Sequence, residues 1–370
     1  MSDRERAIGT RGFAEDRSVQ GIAADASVPP PTLRPGRQLL RLIVVLSALL
    51  LLAAAAAVML GTADVPPSAV LRVLAGRSDP DSIEHVVTLG LRLPRIAVAI
   101  LAGGGLAVAG VAFQALTRNP LAEPSILGIS NGAAFGVVVA QIFGLGLTVV
   151  QAVGLTVCAF AGAIVAAAAV YLIASGHRVI AVPTLLLAGV IVGIFFASAI
   201  TVVISVVDVN RLGGVVHWLF GNIGPIPGGA LAVFALLAAT GFTLIAVRAR
   251  ELNVLALGEE AAFQLGVNTE RLKLGIFCGA ALLTATVVAF TGPIGFVGLI
   301  VPHLLRGLVG QDNRLLVPTA LVGGGIFLLV ADTIARTVIA PAELSVGVIT
   351  SFFGAPFFVY LLRTRYRGTL

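Results

Sequence analysis

The chain after residue 38 is a succession of long apolar segments separated by short polar ones. A helix needs about 20 mainly apolar residues to cross the hydrocarbon core of a bilayer, and most of these segments reach that length. Because backbone polar groups in lipid must be paired within the chain, each segment predicts a helix. The pattern therefore predicts an all-α, polytopic membrane protein with about ten transmembrane helices. The predicted spans cover residues 42–60, 94–116, 124–143, 147–174, 182–206, 229–248, 271–291, 297–310, 315–336 and 345–362.

Composition agrees with this interpretation. The chain is 58% hydrophobic and only 11% charged, whereas a soluble domain carries about 25% charged residues. Residues 1–38 differ from the rest because they are polar, charged and rich in proline, alanine and serine, which predicts a disordered cytoplasmic N-terminal tail. The remainder, 39–370, is predicted to be one transmembrane domain. Its first apolar run is long enough to span, which favours a retained helix over a cleaved leader peptide.

The distribution of basic residues predicts the orientation of the chain in the cell membrane. With the N-terminus inside, 14 lysine and arginine residues flank the inner ends of the spans and 6 lie in outer loops. Cytoplasmic loops normally carry this excess, and ten spans return the C-terminus to the cytoplasm. The net charge of +6 is thus explained by the inner flanks, without any need for a nucleic-acid partner.

Three of the outer arginines, Arg92, Arg95 and Arg336, lie beside the ends of predicted spans. They could extend to lipid headgroups or form ion pairs at helix ends. Alternatively, they could form a positive rim that captures carboxylates of a soluble partner. Asp332 precedes Arg336 by one helical turn, which favours a structural ion pair over a proton relay for this acid.

The polar segment 249–270 interrupts the apolar pattern on the predicted inner side. Gly258 divides it into two short predicted helices, and Gly266 is predicted to end the second. The segment also carries four apolar side chains that are predicted to be exposed, which favours a docking surface over packing against its own helices: Leu255, Leu257, Phe263 and Leu265. A Walker A motif does not occur in the sequence, and hence any ATPase that drives the protein must be a separate subunit, for which this segment is the natural docking site.

Metal-ligating and catalytic groups are scarce. The chain holds four histidines, two methionines and two cysteines, too few to predict a pathway for a bare transition-metal ion. A metal that crosses here would therefore cross inside a chelator. His303 is predicted to be a hydrogen-bonded structural residue, and the spans show no catalytic constellation, which argues against an enzyme.

Several blocks between residue 90 and the C-terminus resemble the permease subunits of ABC importers for iron-siderophore complexes and cobalamin. The linker 118–124 and the glycine-rich stretch 292–303 carry the resemblance most clearly. Further blocks are 92–95, 255–266 and 331–336, in the same order along the chain. The N-terminal tail and Ser345, where the family often has proline, depart from the pattern.

The resemblance implies a type II ABC importer permease-like fold that works as a pair, as a homodimer or heterodimer, with two cytoplasmic ATPase subunits. ATP and Mg would be bound by those subunits, and the chain itself would hold no cofactor or metal. The family's coupling segment matches Leu252, Asn253, Leu255, Ala256, Leu257, Gly258, Glu259, Gln264, Leu265 and Gly266. Its arginines that meet an extracytoplasmic binding protein match Arg92, Arg95 and Arg336, and its structural motif positions match Asn119, Pro120, Gly292, Pro302, His303 and Asp332.

The resemblance favours a ferric siderophore as the cargo and leaves cobalamin and haem open. A secondary transporter driven by protons or sodium remains as a second class of function. Dependence of uptake on an ATPase distinguishes the two.

Overall fold

The structure is a computed structural model that describes residues 35–142, 149–175, 180–206 and 212–366. Most of the predicted tail at 1–38 lies outside these residues, but its last part does not, because the first helix already begins at Pro35. The helices, in chain order, are α1 (Pro35–Met59), α2 (Pro67–Leu74), α3 (Ile83–His85), α4 (Leu93–Thr117), α5 (Ile129–Ile142), α6 (Val149–Ala174), α7 (Val182–Val206), α8 (Leu212–Leu219), α9 (Gly228–Ala246), α10 (Ala249–Leu255), α11 (Glu259–Gln264), α12 (Thr269–Thr291), α13 (Val297–Val309), α14 (Asn313–Thr337) and α15 (Val346–Tyr366).

The apolar helices confirm the prediction of an all-α, polytopic membrane protein. Among the described residues, 7 helices are long and apolar enough to cross a membrane. Three shorter apolar helices coincide with α5, α13 and most of α15, so that each of the ten predicted windows contains an apolar helix. The eighth window is short and contains Pro302 within the helix.

Apart from α1, which begins at Pro35 and not at residue 42, two predicted starts differ from the structure by more than two residues. The helix that contains α4 begins at Ile83 and passes through a π-helical stretch, Val86–Arg92, before α4 starts. Glu84 and Arg92 lie in the part of the helix before residue 94 and lower its hydropathy, and the predicted span therefore starts too late. The helix in the third predicted span, α5, begins at Ile129 because a 3₁₀ turn, Pro124–Leu127, and the left-handed Gly128 precede it.

Helix α4 is the centre of the bundle and packs against α9, α12, α13 and α14. Glycines allow the closest of these approaches. A Cβ atom on Gly103 of α4 would overlap the carbonyl group of Gly324 on α14, and one on Gly110 would overlap the carbonyl group of Gly298 on α13. Small residues at helix contacts are the usual means of close packing in lipid.

Candidate functional site

The segment between α9 and α12 folds as the two short helices that its sequence predicts, α10 and α11. Gly258 separates them with φ of 115°, and Gly266 follows α11 with φ of 84°. Both angles lie in the region that favours glycine over every other residue. The two glycines therefore fix sharp turns at which a larger side chain would strain the backbone.

Three large apolar side chains project from this segment, and we call them the inner patch: Leu257, Phe263 and Leu265. Their side chains are 70%, 72% and 65% exposed. Ala256 and Gln264 are exposed beside them. An apolar surface of this kind outside the spans is typical of a protein contact site.

The leucines of α10 face the opposite way. Leu252 and Leu255 are buried against the helix bundle. The prediction that Leu255 contributes to an exposed apolar surface was therefore wrong, because α10 turns this side chain inward. Leu252 and Leu255 therefore anchor the segment to the bundle, and the exposed apolar surface consists of the inner patch alone.

Asn253 fastens α10 to the start of α14. Its amide Nδ2 donates to Oδ1 of Asp312 at 2.6 Å, and its Oδ1 accepts from the backbone N–H of Asn313 at 2.8 Å. Hydrogen bonds from Arg314, the largest cause, and from Asn253 lower the pKa of Asp312 to about 2. The ionised carboxylate caps α14 by accepting from the backbone N–H of Arg314 at 3.0 Å. Such a cap satisfies a backbone donor that the helix leaves unpaired.

At the other predicted face, four side chains form what we call the outer charge cluster: Arg95, Asp332, Arg336 and Glu343. Asp332 is completely buried on α14, with Oδ1 at 3.0 Å from Nη2 of Arg95. Its Oδ2 lies 3.1 Å from Nε of Arg336, which is the ion pair that the sequence predicts. The Nε–H group is not aimed at the carboxylate, and this second contact is therefore one of charge without a hydrogen bond.

Glu343 completes the outer charge cluster from the loop before α15. Its Oε2 lies 2.7 Å from Nη1 of Arg95, and its Oε1 accepts from the hydroxyl of Thr62 at 3.1 Å. Burial acts to raise the pKa of Glu343, but the hydrogen bond and charge of Arg95 outweigh it and hold that pKa below its usual value. The carboxyl group is therefore ionised at neutral pH.

Arg92 is also buried, but its partners are backbone carbonyls. It donates to Val58 O at 2.7 Å and to Ala63 O at 2.8 Å, which ties the end of α1 to the start of the α4 helix. Arg92 and Arg336 are 5% and 3% exposed as residues, and the Arg95 side chain is 11% exposed. Of the two alternatives, the three arginines therefore do not form an open positive rim, because groups of the chain itself already engage each of them, and Arg95 and Arg336 form ion pairs at helix ends.

The linker between α4 and α5 is joined by a hydrogen bond to the N-terminus of α13. Asn119 accepts from the backbone N–H of Leu121 at 2.9 Å, which closes a tight turn at Pro120. Glu123 then accepts from the backbone N–H of Phe296 at 2.6 Å. Sequence reasoning missed Glu123, although a carboxylate between two spans was a signal that could have singled it out.

The remaining motif residues lie on α12 and α13. Gly292 ends α12 with φ of 70°, and a Cβ atom there would lie 2.5 Å from the carbonyl oxygen of Trp218. Pro302 is buried within α13. The ring of the adjacent His303 lies 6.4 Å from that of Phe357 in an edge-on arrangement. Within the described part of the chain, no group of three or more His, Cys, Asp or Glu side chains is placed to hold a metal ion.

Comparison with known proteins agrees with this architecture. The model of the FecCD transport family matches residues 49–364. A haemin transport system permease of Yersinia pestis is 38% identical, covering 80% of this chain and 88% of its own length. A cobalamin import system permease of Halobacterium salinarum is 41% identical, with 76% of this chain and 74% of the relative covered. An iron(3+)-hydroxamate import system permease of Bacillus subtilis is 39% identical over 84% of this chain and 80% of the relative.

A solved structure gives the same answer for the fold. It shows an inward-facing conformation of a transporter assigned to the metal-chelate type of ABC transporter, with a TM-score of 0.75 and 30% identity. The match covers 88% of this chain and 99% of that one. The family model and the relatives each span most of the sequence, and the chain therefore belongs to the FecCD transport family, as a permease subunit of a type II ABC importer.

Proposed function

We propose that this permease translocates a metal chelate, with a ferric siderophore as the first candidate and cobalamin or haem as the alternatives. One observation carries the proposal: the named cargoes of its relatives, haemin, cobalamin and iron(3+)-hydroxamate, are all bulky chelates. The scarcity of histidine, cysteine and methionine supports it, because a chelated metal needs no ligands from the protein. A binding protein outside the cell membrane delivers the chelate, and the two termini of the permease lie in the cytoplasm.

The inner patch is the proposed docking surface for the ATPase. Leu257 and Leu265 are exposed on the turns at Gly258 and Gly266, and Phe263 is exposed on α11 between these turns, so the apolar surface is built on defined backbone and is accessible. ATP and Mg are bound by the ATPase, and the permease works beside a second permease, identical or related. Binding of nucleotide moves the coupling helices, and their motion alternates the opening of a central path.

Aspartate substitutions test the docking surface directly. Leu257→Asp and Phe263→Asp should each reduce recovery of the ATPase with the purified permease by about tenfold or more, since an exposed apolar anchor becomes charged. Leu71→Asp is the matched control, because Leu71 is 57% exposed on α2, away from the patch. Equal recovery of the ATPase with all three variants would show that the patch is not the docking surface.

Reconstituted vesicles test the cargo and the energy source. Vesicles that hold the permease, its ATPase and ATP are given the binding protein loaded with a ferric hydroxamate, haemin or cobalamin. We expect uptake of one chelate, and the order of the three rates identifies it. Uptake by the permease alone under a proton or sodium gradient would instead establish a secondary transporter.

The outer charge cluster is the proposed contact for the binding protein, through Arg95 and Arg336. Because Asp332 and Glu343 already neutralise these arginines, a carboxylate of the binding protein must replace one of these two carboxylates as the partner of an arginine. Arg95→Glu should therefore weaken docking, most visibly at low salt. Binding of the loaded binding protein to the immobilised complex gives the affinity, and an unchanged value would leave Arg95 with a structural role only.

A further inference from the structure

The chain has a single lysine, Lys273, and it is buried at the start of α12 with 1% of its side chain exposed. Its Nζ lies 2.9 Å from Oε2 of Glu259 and 2.5 Å from Oε1 of Glu270, and it donates to the carbonyl oxygen of Ile180 at 2.7 Å. A lysine ammonium has three N–H donors, and here three acceptors surround it. We call these four residues the inner lysine cluster.

The inner lysine cluster holds both backbone polar groups of Ile180. The carbonyl accepts from Lys273, and the backbone N–H donates to Oε2 of Glu270 at 2.7 Å. Ile180 lies just before α7, which begins at Val182. The two side chains on α12 therefore fix the position at which α7 starts.

The same lysine holds α11, the helix that carries part of the inner patch. Ala262 is the buried residue of this short helix, so apolar packing ties it only weakly to the bundle. Glu259 at its first position adds an ion pair to a buried cation. The ammonium of Lys273 is held on its other sides by Glu270 and by the carbonyl oxygen of Ile180, and a displacement of α11 therefore acts on these contacts through Glu259.

Helix α7 in turn contacts the linker between α4 and α5. A Cβ atom on Gly189 would lie 2.7 Å from the carbonyl oxygen of Ile126, and one on Gly128 would lie 2.8 Å from the backbone nitrogen of Gly193. Asn131 also donates to the carbonyl oxygen of Gly193 at 2.9 Å. Contacts this close leave no free space between α7 and the linker. A displacement of α7 must therefore move the linker or be blocked by it.

We propose that Lys273 is the transmission point between the ATPase-coupling helix α11 and helix α7, and that it passes motion of the coupling segment to the linker. The proposal rests on the proposed function of the inner patch. It assigns Lys273 and Glu259 a positioning role: they act through each other and Ile180, outside the inner patch, and they couple ATP hydrolysis to the movement of the spans. A contiguous set of packed, hydrogen-bonded and ion-paired residues is the physical basis for such a pathway.

The test uses the reconstituted complex and three readouts: recovery of the ATPase, rate of ATP hydrolysis and uptake of the chelate. Glu259→Gln and Lys273→Met should retain ATPase recovery and ATP hydrolysis, while chelate uptake per ATP falls about fivefold or more. Glu260→Gln is the matched control, because it removes the same charge from an exposed position on the same helix. The double variant should be no worse than Lys273→Met, since both changes break one link.

Three results would overturn the proposal. One is normal uptake per ATP in Glu259→Gln, a partly exposed position whose loss does not threaten folding even if Lys273→Met proves unstable. Another is loss of ATPase recovery in Glu259→Gln, which would make the cluster a support for the docking surface. The third is an equal uptake defect in Glu260→Gln. Failure of the proposed docking function is seen separately, as normal ATPase recovery with Leu257→Asp.

Discussion

Replacement of Asp332 by asparagine tests whether the outer charge cluster stabilises the fold as its geometry indicates. The Asp332 carboxylate is completely buried between Arg95 and Arg336, and the Arg336 side chain is only 3% exposed. The amide would keep the shape and remove the charge. Breaking a buried ion pair from one side costs about 3–5 kcal/mol. Because Arg95 keeps Glu343 as a partner, we expect a loss in the free energy of unfolding near the lower end, about 3 kcal/mol.

The assay is equilibrium unfolding of the purified permease in mixed detergent micelles, with Glu343→Gln as the matched control. Both carboxylates contact Arg95, but the Glu343 side chain is 32% exposed. Loss of an exposed ion pair costs about 1 kcal/mol or less. Adding Arg336→Met to Asp332→Asn should recover part of the loss, because it removes the uncompensated charge. Equal losses for the two carboxylate variants, or a further loss in the double variant, would refute this reasoning.

Two further predictions concern packing and the cap of α14. Gly103→Val should destabilise the permease by about 1–3 kcal/mol or prevent folding, because a Cβ atom there overlaps the carbonyl group of Gly324, whereas Gly307→Ala, with no atom within 4 Å, should not; thermal unfolding of both variants checks this, and similar midpoints would contradict it. The pKa of Asp312 is lowered from 3.8 to about 2, so its stabilisation is complete above pH 3.8 and is lost as the pH falls towards 2. The difference in unfolding free energy between the wild type and Asp312→Asn should therefore shrink over that interval, and a constant difference would be the contrary result.

Local patterns in the sequence were sufficient for the apolar helices and for the two short helices of the segment 249–270. Apolar windows located the helices because lipid forces backbone pairing within each segment. Gly258 and Gly266 located the ends of the short helices α10 and α11 because their backbone angles favour glycine. Both features depend on neighbours in the chain, and a single sequence shows those directly.

Long-range partners were not accessible in this way. Arg95 and Asp332 are 237 positions apart in the sequence, and their ion pair depends on the packing of α4 against α14. Asp332 and Arg336 are one helical turn apart, so this pair was predicted. Lys273 looked like an ordinary basic residue at the inner end of a span, and its hydrogen bond to Ile180 joins positions 93 residues apart in the sequence.

The two charged clusters share a construction that bears on how partners act on the permease. In each, a buried cation near the end of a central helix, Arg95 or Lys273, contacts two carboxylates. One carboxylate of each pair, Glu343 or Glu259, lies outside the spans on a segment proposed to meet a partner, and it is 32% or 39% exposed. That carboxylate can be pulled or exchanged while the second one still compensates the buried cation. A partner can therefore move the peripheral segment without leaving a bare charge in the bundle, which is the costly step in breaking a buried pair.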